Sequence, residues 1–160
     1  MENRHYPVAY RTYTTGDRLE VRAFLEQPDG KAVFLDRVRI SIWPNFNKEK
    51  GLSIDLDSSE IRAFAYACKE ILKRKESEYR KHSDPKRAGG GGSEKMMNLG
   101  VGDSGFFLNI NEASPNGKKP RFVFDKYSLA AFVDDLMLIA EETQGLQYKY
   151  QREMQRRQKV

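Results

Sequence analysis

The sequence constrains its own fold most through an internal repetition at a spacing of 68 residues. The stretch Lys50-Gly51-Leu52-Ser53-Ile54-Asp55-Leu56-Asp57-Ser58-Ser59-Glu60-Ile61-Arg62-Ala63-Phe64 is an alternating strand that turns directly into an amphipathic helix. Shifted by 68 residues it lies without a gap on Lys118–Phe132. Matched pairs include Leu56/Phe124, Asp57/Asp125, Ile61/Leu129, Ala63/Ala131, Phe64/Phe132 and Ile71/Ile139, and upstream Ile40 and Ile42 meet Leu108 and Ile110. Residue identity is sparse while the apolar pattern persists, and two copies are too few for a solenoid. An internal pseudo-dimer follows.

The rest of the chain fits that plan. Val8–Thr14 is rich in aromatic and β-branched residues and ends at the turn Thr15-Gly16-Asp17. In Arg18–Gln27, Leu19, Val21, Ala23 and Leu25 alternate with Arg18, Glu20, Arg22 and Phe24. Pro28-Asp29-Gly30 makes a tight turn. A third strand runs from about 32 to 43, with Val38, Ile40 and Ile42 inward and Arg37, Arg39, Ser41 and Trp43 outward. A fourth carries Leu52, Ile54 and Leu56. Asp57 or Ser58 caps a helix whose stripe is Ile61, Phe64, Ala65, Cys68, Ile71 and Leu72, and whose polar end runs out before Asp84-Pro85. Residues 83–94 read as a flexible glycine-rich linker. The second half supplies strands around Met97–Val101, Phe106–Ile110 and Phe122–Phe124, then a helix from about 126 to 143 with Gly145 as its stop. The expected organisation is α+β, two β-β-β-β-α repeats (1–82 and 95–144) packed as antiparallel sheets with helices, followed by a basic tail at 145–160.

Composition narrows the function classes. No apolar run approaches the roughly 18 residues of a membrane span, and Met1-Glu2-Asn3-Arg4-His5 opens no apolar signal core, so a cytoplasmic protein with no membrane contact is expected. The lone Cys68 sits on an apolar helix face and reads as a buried thiol. His5 and His82 belong to no metal-spaced cluster. Asp134-Asp135 and Glu141-Glu142 are neighbours on a helix, about 100° apart, and do not face each other. Gly100-Val101-Gly102 lacks the third glycine and the following helix of a dinucleotide fingerprint. A non-enzyme without cofactor or metal is expected.

The net charge of +5 is concentrated in two segments. Residues 73–87 hold seven Lys/Arg against three Asp/Glu, and 145–160 hold five against one, so each contributes +4 and the remainder is −3. The folded strands nevertheless carry a second signal. Arg18, Arg22, Phe24, Arg37, Arg39 and Trp43 share the non-core face of the first half, continuing into Phe46, Lys48 and Lys50 on the loop. The second half offers Phe107, Asn109, Lys118, Lys119 and Arg121. Cations that follow phosphates, interleaved with rings that stack bases at about 1–3 kcal/mol each, are what single-strand binding needs.

Ile40-Ser41-Ile42-Trp43, a loop with Lys48 and Lys50, then Gly51-Leu52-Ser53-Ile54 and Ser58-Ser59-Glu60 opening a helix, resembles the strand-loop-"KKGISL"-helix segment of positive-cofactor-four-type coactivators. The doubled plan resembles the Whirly family, whose related segment is "KGKAALS". The resemblance spans residues 18–72 closely and 95–142 by pattern. It implies single-stranded DNA binding on sheet surfaces, without enzymatic activity, in replication, recombination or transcription. Lys48, Lys50 and Ser53 match the basic loop and strand, and Trp43 an aromatic before the loop. In the second copy Pro120 stands on the glycine side of the motif and Asn111 where a tryptophan would be, so the two halves are not expected to bind equally. Two other readings use the same residues: RNA binding or annealing, as in mitochondrial Whirly-like guide-RNA proteins, and a protein-interaction scaffold through the sheet face and Met137/Leu138. Exposed sheet edges favour a homo-oligomer.

Overall fold

The computed structural model describes residues 3–74, 76–82, 94–103 and 105–158. Strands β1 (Arg4–Thr14), β2 (Arg18–Gln27), β3 (Leu35–Trp43) and β4 (Leu52–Leu56) form one antiparallel sheet in sequential order, followed by helix α1 (Ser58–Leu72). Strands β5 (Glu78–His82), β6 (Lys95–Gly102), β7 (Gly105–Glu112) and β8 (Arg121–Phe124) form a second sheet of the same order, followed by α2 (Lys126–Gln158). The repeat is visible in the ladders themselves. Val38 pairs with Leu56, Arg39 with Asp55 and Ser41 with Ser53, and 68 residues later Phe106 pairs with Phe124, Phe107 with Val123 and Asn109 with Arg121. Both helices start the same way. Asp57 Oδ1 accepts from the Glu60 amide at 2.8 Å while Glu60 accepts from the Asp57 amide, a reciprocal capping box. Asp125 Oδ1 accepts from the Ser128 amide at 2.7 Å, which holds its carboxyl below the ordinary aspartate range.

Alternation places Leu19, Val21, Ala23, Leu25, Val38, Ile40, Ile42, Ile54 and Leu56 on one face of the first sheet, and Met97, Leu99, Leu108, Ile110, Phe122 and Phe124 on one face of the second. Both sets join one continuous core together with the buried residues of the two helices. The helices cross over. α1 reaches β5 and β6 of the other sheet, where Phe64 meets Tyr79 at 5.9 Å and Glu60 pairs with Lys81 at 2.8 Å. α2 runs under β1, β2 and β3, where Phe132 meets Tyr13 edge-on at 5.2 Å and Asp135 accepts from Tyr13 and Arg11. Asp135 is therefore a structural anchor, whereas Glu141 and Glu142 are exposed. Cys68 is buried, and loss of water pushes its thiol far up.

Two boundaries differ from the sequence expectation. Residues 78–82 are the edge strand of the second sheet rather than the end of the first repeat. The helix ends at Leu72 because Arg74 takes a left-handed conformation (φ 59°) and its amide closes on Ile71 O. Glu78-Tyr79-Arg80-Lys81-His82 hides its strand character because Tyr79 is its one inward apolar residue. The second difference is the tail. α2 passes through Gly145 without a break, and its far end docks on the loop before β3. Gln147 Nε2 donates to Phe34 O at 2.8 Å, Gln151 Oε1 accepts from Phe34 N at 2.8 Å, and Gln151 Nε2 donates to Ala32 O at 3.1 Å. The Phe34 and Tyr150 rings meet at 5.6 Å. Two glutamines one turn apart thus satisfy backbone that has left the ladder. The β3 start near 32 moves accordingly to Leu35. The glycine-rich run lies outside the described residues.

Replacing Gln151 by Ala strands the buried Phe34 amide, so we expect a loss of about 1–3 kcal/mol in urea unfolding. Ending the chain after Gly145 costs more. An unchanged midpoint for both would show the tail to be an appendage.

Candidate nucleic-acid interface

The outward face of the first sheet contains every residue expected there, but most of them are occupied. Arg39 Nε and Nη2 reach both Asp55 oxygens at 2.7 and 3.0 Å, the fork geometry that binds a carboxylate most firmly. Arg37 lies 3.4 Å from Glu26 and is largely covered. Arg18 donates to Glu20 at 3.0 Å and to Tyr10 Oη at 2.6 Å, and Tyr10 donates to the same Glu20 carboxylate. Phe24 is only 4% exposed: the His5 ring stacks on it at 4.8 Å and the Arg39 guanidinium covers it at 5.3 Å. Phe24 is therefore a structural residue on the outer face and is not open to a base. The ridge that hides it exists because β1 pairs with β2 through a bulge between Pro7 and Ala9, which brings both His5 and Tyr10 to the outer side.

What remains open gathers at one corner. Trp43 pairs with Arg18 across the ladder and is half-buried, with the Arg18 guanidinium 4.8 Å and the Lys48 ammonium 5.9 Å from its ring. Gly51 makes room for it: a Cβ there would lie 2.6 Å from both Trp43 Cδ1 and Ile42 O. Pro44–Phe46 and Lys48–Lys50 form two short 3₁₀ turns. Asn45 and Phe46 both have positive φ, 51° and 61°, a conformation that costs a bulky residue of order 1–3 kcal/mol. The loop is fixed by Asp17 Oδ1 accepting from the Asn45 amide at 2.9 Å and by Asn47 Oδ1 accepting from Glu49 N at 3.0 Å. Phe46 is thereby held 50% exposed, with Lys48 and Lys50 exposed beside it. Arg22 is exposed too and lies over the Tyr10 ring at 5.3 Å, with no ion pair among the described residues.

The second sheet presents a different surface. Phe107 lies flat across Gly100, where a Cβ would stand 2.7 Å from its Cζ. The glycines of β6 thus make room for a ring. Arg121 covers Phe107 at 4.4 Å and donates through Nε to Asn109 at 2.8 Å. Lys118 and Lys119 are exposed on the β7–β8 loop. Sequence reasoning missed Tyr10 and Val123, which are 48% and 45% exposed on these faces. Tyr10 was concealed by the bulge, which breaks the period of two, and Val123 by its apolar character.

No protein-family model matches the sequence, and comparison with curated proteins gives no match. Solved structures that share the architecture include two plant proteins. One is the plant transcriptional regulator PBF-2, with TM-score 0.60 and 14% identity over 88% of this chain and 86% of that one. The other is WHY1 from Arabidopsis thaliana, with TM-score 0.58 and 11% identity over 84% and 85%. The two antiparallel four-stranded sheets, each followed by a helix, are the Whirly fold.

Trp43 is the single tryptophan of the chain, so its setting is directly readable. Gly51→Ala should push the indole off its seat and red-shift its emission, while Gly16→Ala, with nothing within 4 Å of the added carbon, should not. Equal spectra would show that Trp43 is not seated on Gly51.

Proposed function

We propose that this chain binds single-stranded DNA with little sequence preference, through the corner of the first sheet and the arginine-covered ring of the second, in the service of transcription, replication or recombination. The observation that carries the reading is Trp43 with two cations against its ring, beside an aromatic kept in solvent by strained backbone. An aromatic of Phe46's size at positive φ is stable only where the surroundings impose it, and such strain clusters at binding sites. The cations with no side-chain ion pair among the described residues, Arg22, Lys48 and Lys118 among them, suit phosphates spaced along a strand, and Trp43 and Phe46 suit its bases. The resemblance of the Trp43–Ile54 segment and the likeness to PBF-2 support the same reading.

Fluorescence anisotropy of a labelled thymidine oligonucleotide across a salt series tests it. The intact chain should bind, with log K falling by about 0.7 per phosphate neutralised for each tenfold rise in salt. Phe46→Ala and Trp43→Ala should each weaken binding by about 5- to 100-fold, the equivalent of one base stack. An equal-sequence RNA competes poorly if DNA is the ligand; stronger competition by RNA would transfer the surface to RNA. No binding at low salt would overturn the nucleic-acid reading in favour of a protein-interaction scaffold.

A further inference from the structure

Most outward arginines of the described strands have their charges met, and of the two that do not, Arg22 and Arg121, only Arg121 is oriented by a hydrogen bond. Arg18 finds Glu20, and Arg80 finds Glu78, each two residues away on the same strand and therefore on the same face. Arg39 finds Asp55 across the ladder. Arg121 has Val123 at the position two residues on, and its cross-strand partner is Asn109. The 68-residue repeat makes Val123 the counterpart of Asp55: the carboxylate of the first sheet is absent from the second.

Arg121 is nevertheless oriented. A hydrogen-bonded row crosses all four strands: Glu78 accepts from Arg80 and from Asn98, Asn98 Oδ1 accepts from Asn109 at 3.3 Å, and Asn109 Oδ1 accepts from Arg121 Nε at 2.8 Å. With the Phe107 ring at 4.4 Å, the exposed guanidinium is oriented by one hydrogen bond and one ring. Its two terminal nitrogens make no hydrogen bond among the described residues. Arg121 borders a hollow of about 330 Å³ that is also lined by Phe106, Phe107, Val123, Gly102, Gly105 and Asp103. A donor fork, an aromatic and aliphatic surface, and a carboxylate therefore share one recess.

A phosphate would meet the charge of Asp103 there. Among the bases, guanine alone combines two acceptors on one edge, O6 and N7, which suit an arginine fork, with two adjacent donors, N1–H and the N2 amine, which suit a carboxylate. Its plane suits the ring and Val123. We propose that this hollow takes one unpaired guanine of a bound strand, adding a preference at a single nucleotide to otherwise sequence-tolerant binding. The proposal rests on the single-strand reading above.

The test uses the full chain and labelled dT12 in which one central residue is dG, dA, dC, deoxyinosine or 7-deaza-dG. Affinity relative to all-dT should rise about 5- to 100-fold for dG. It should fall back for deoxyinosine, which lacks the amine, and for 7-deaza-dG, which lacks N7, and it should not rise for dA or dC. Asp103→Ala, on an exposed turn, should bring the dG-to-dT ratio toward one. Val123→Asp, which gives Arg121 the same-strand carboxylate that Arg18 and Arg80 have, should do the same. A ratio within twofold of one in the unmodified protein, an equal gain from dA, or a preference that survives both variants overturns the proposal. Binding to no oligonucleotide at all overturns the single-strand reading and this proposal with it, an outcome distinct from uniform binding to all.

Discussion

Everything in this molecule depends on an apolar face that neither repeat can cover alone. Each sheet is four strands wide, and α1, with 15 residues, is about 22 Å long. The solution is reciprocal: α1 reaches the second sheet and α2 lies under the first, so the burial of Phe64, Phe132 and Tyr79 belongs to both repeats at once. A half molecule would expose the apolar surface that drives its folding. The same dependence explains the length of α2. Its 33 residues extend about 50 Å, enough to pass the core and clasp the Ala32–Phe34 backbone.

With one face of each sheet committed to the core, all the polar chemistry is left to the other. There the chain first neutralises itself. Ion pairs and aromatic stacking hold Arg39, Arg37, Arg18 and Phe24 in a rigid lattice, so a count of basic residues overstates the positive surface on offer. Linked across strands, these partly covered pairs orient what remains. Trp43 is set by Arg18, Lys48 and Gly51, and Arg121 by a row of two asparagines.

The features of this arrangement that obey a short period are legible in the order of residues alone. Alternation separates Val38, Ile40 and Ile42 from Arg37, Arg39 and Trp43, and the spacing from Asp57 to Asp125 places both helix starts. What escapes depends on non-local or irregular features. The strand at 78–82 has a single inward hydrophobe and is defined by its neighbour. The glutamines of the tail read as solvated because their partners are backbone atoms over a hundred residues away. Alternation puts Phe24 on the outer face, where it lies, but only the bulge in β1 explains why His5 covers it. Period assigns a side, whereas occupancy of that side comes from the third dimension.

Joining two repeats in one chain has a consequence for symmetry. In a dimer of identical subunits, a replacement such as valine for aspartate appears on both faces together. Here Asp55 and Val123 stand at equivalent positions with opposite character, so the two faces are free to diverge. A nucleic-acid strand has a direction, and a surface with a true two-fold axis accepts it equally in either sense. Unlike faces in a fixed order remove that equivalence, so under the single-strand reading proposed above a strand laid across both would be held more tightly in one 5′-to-3′ sense than in the other.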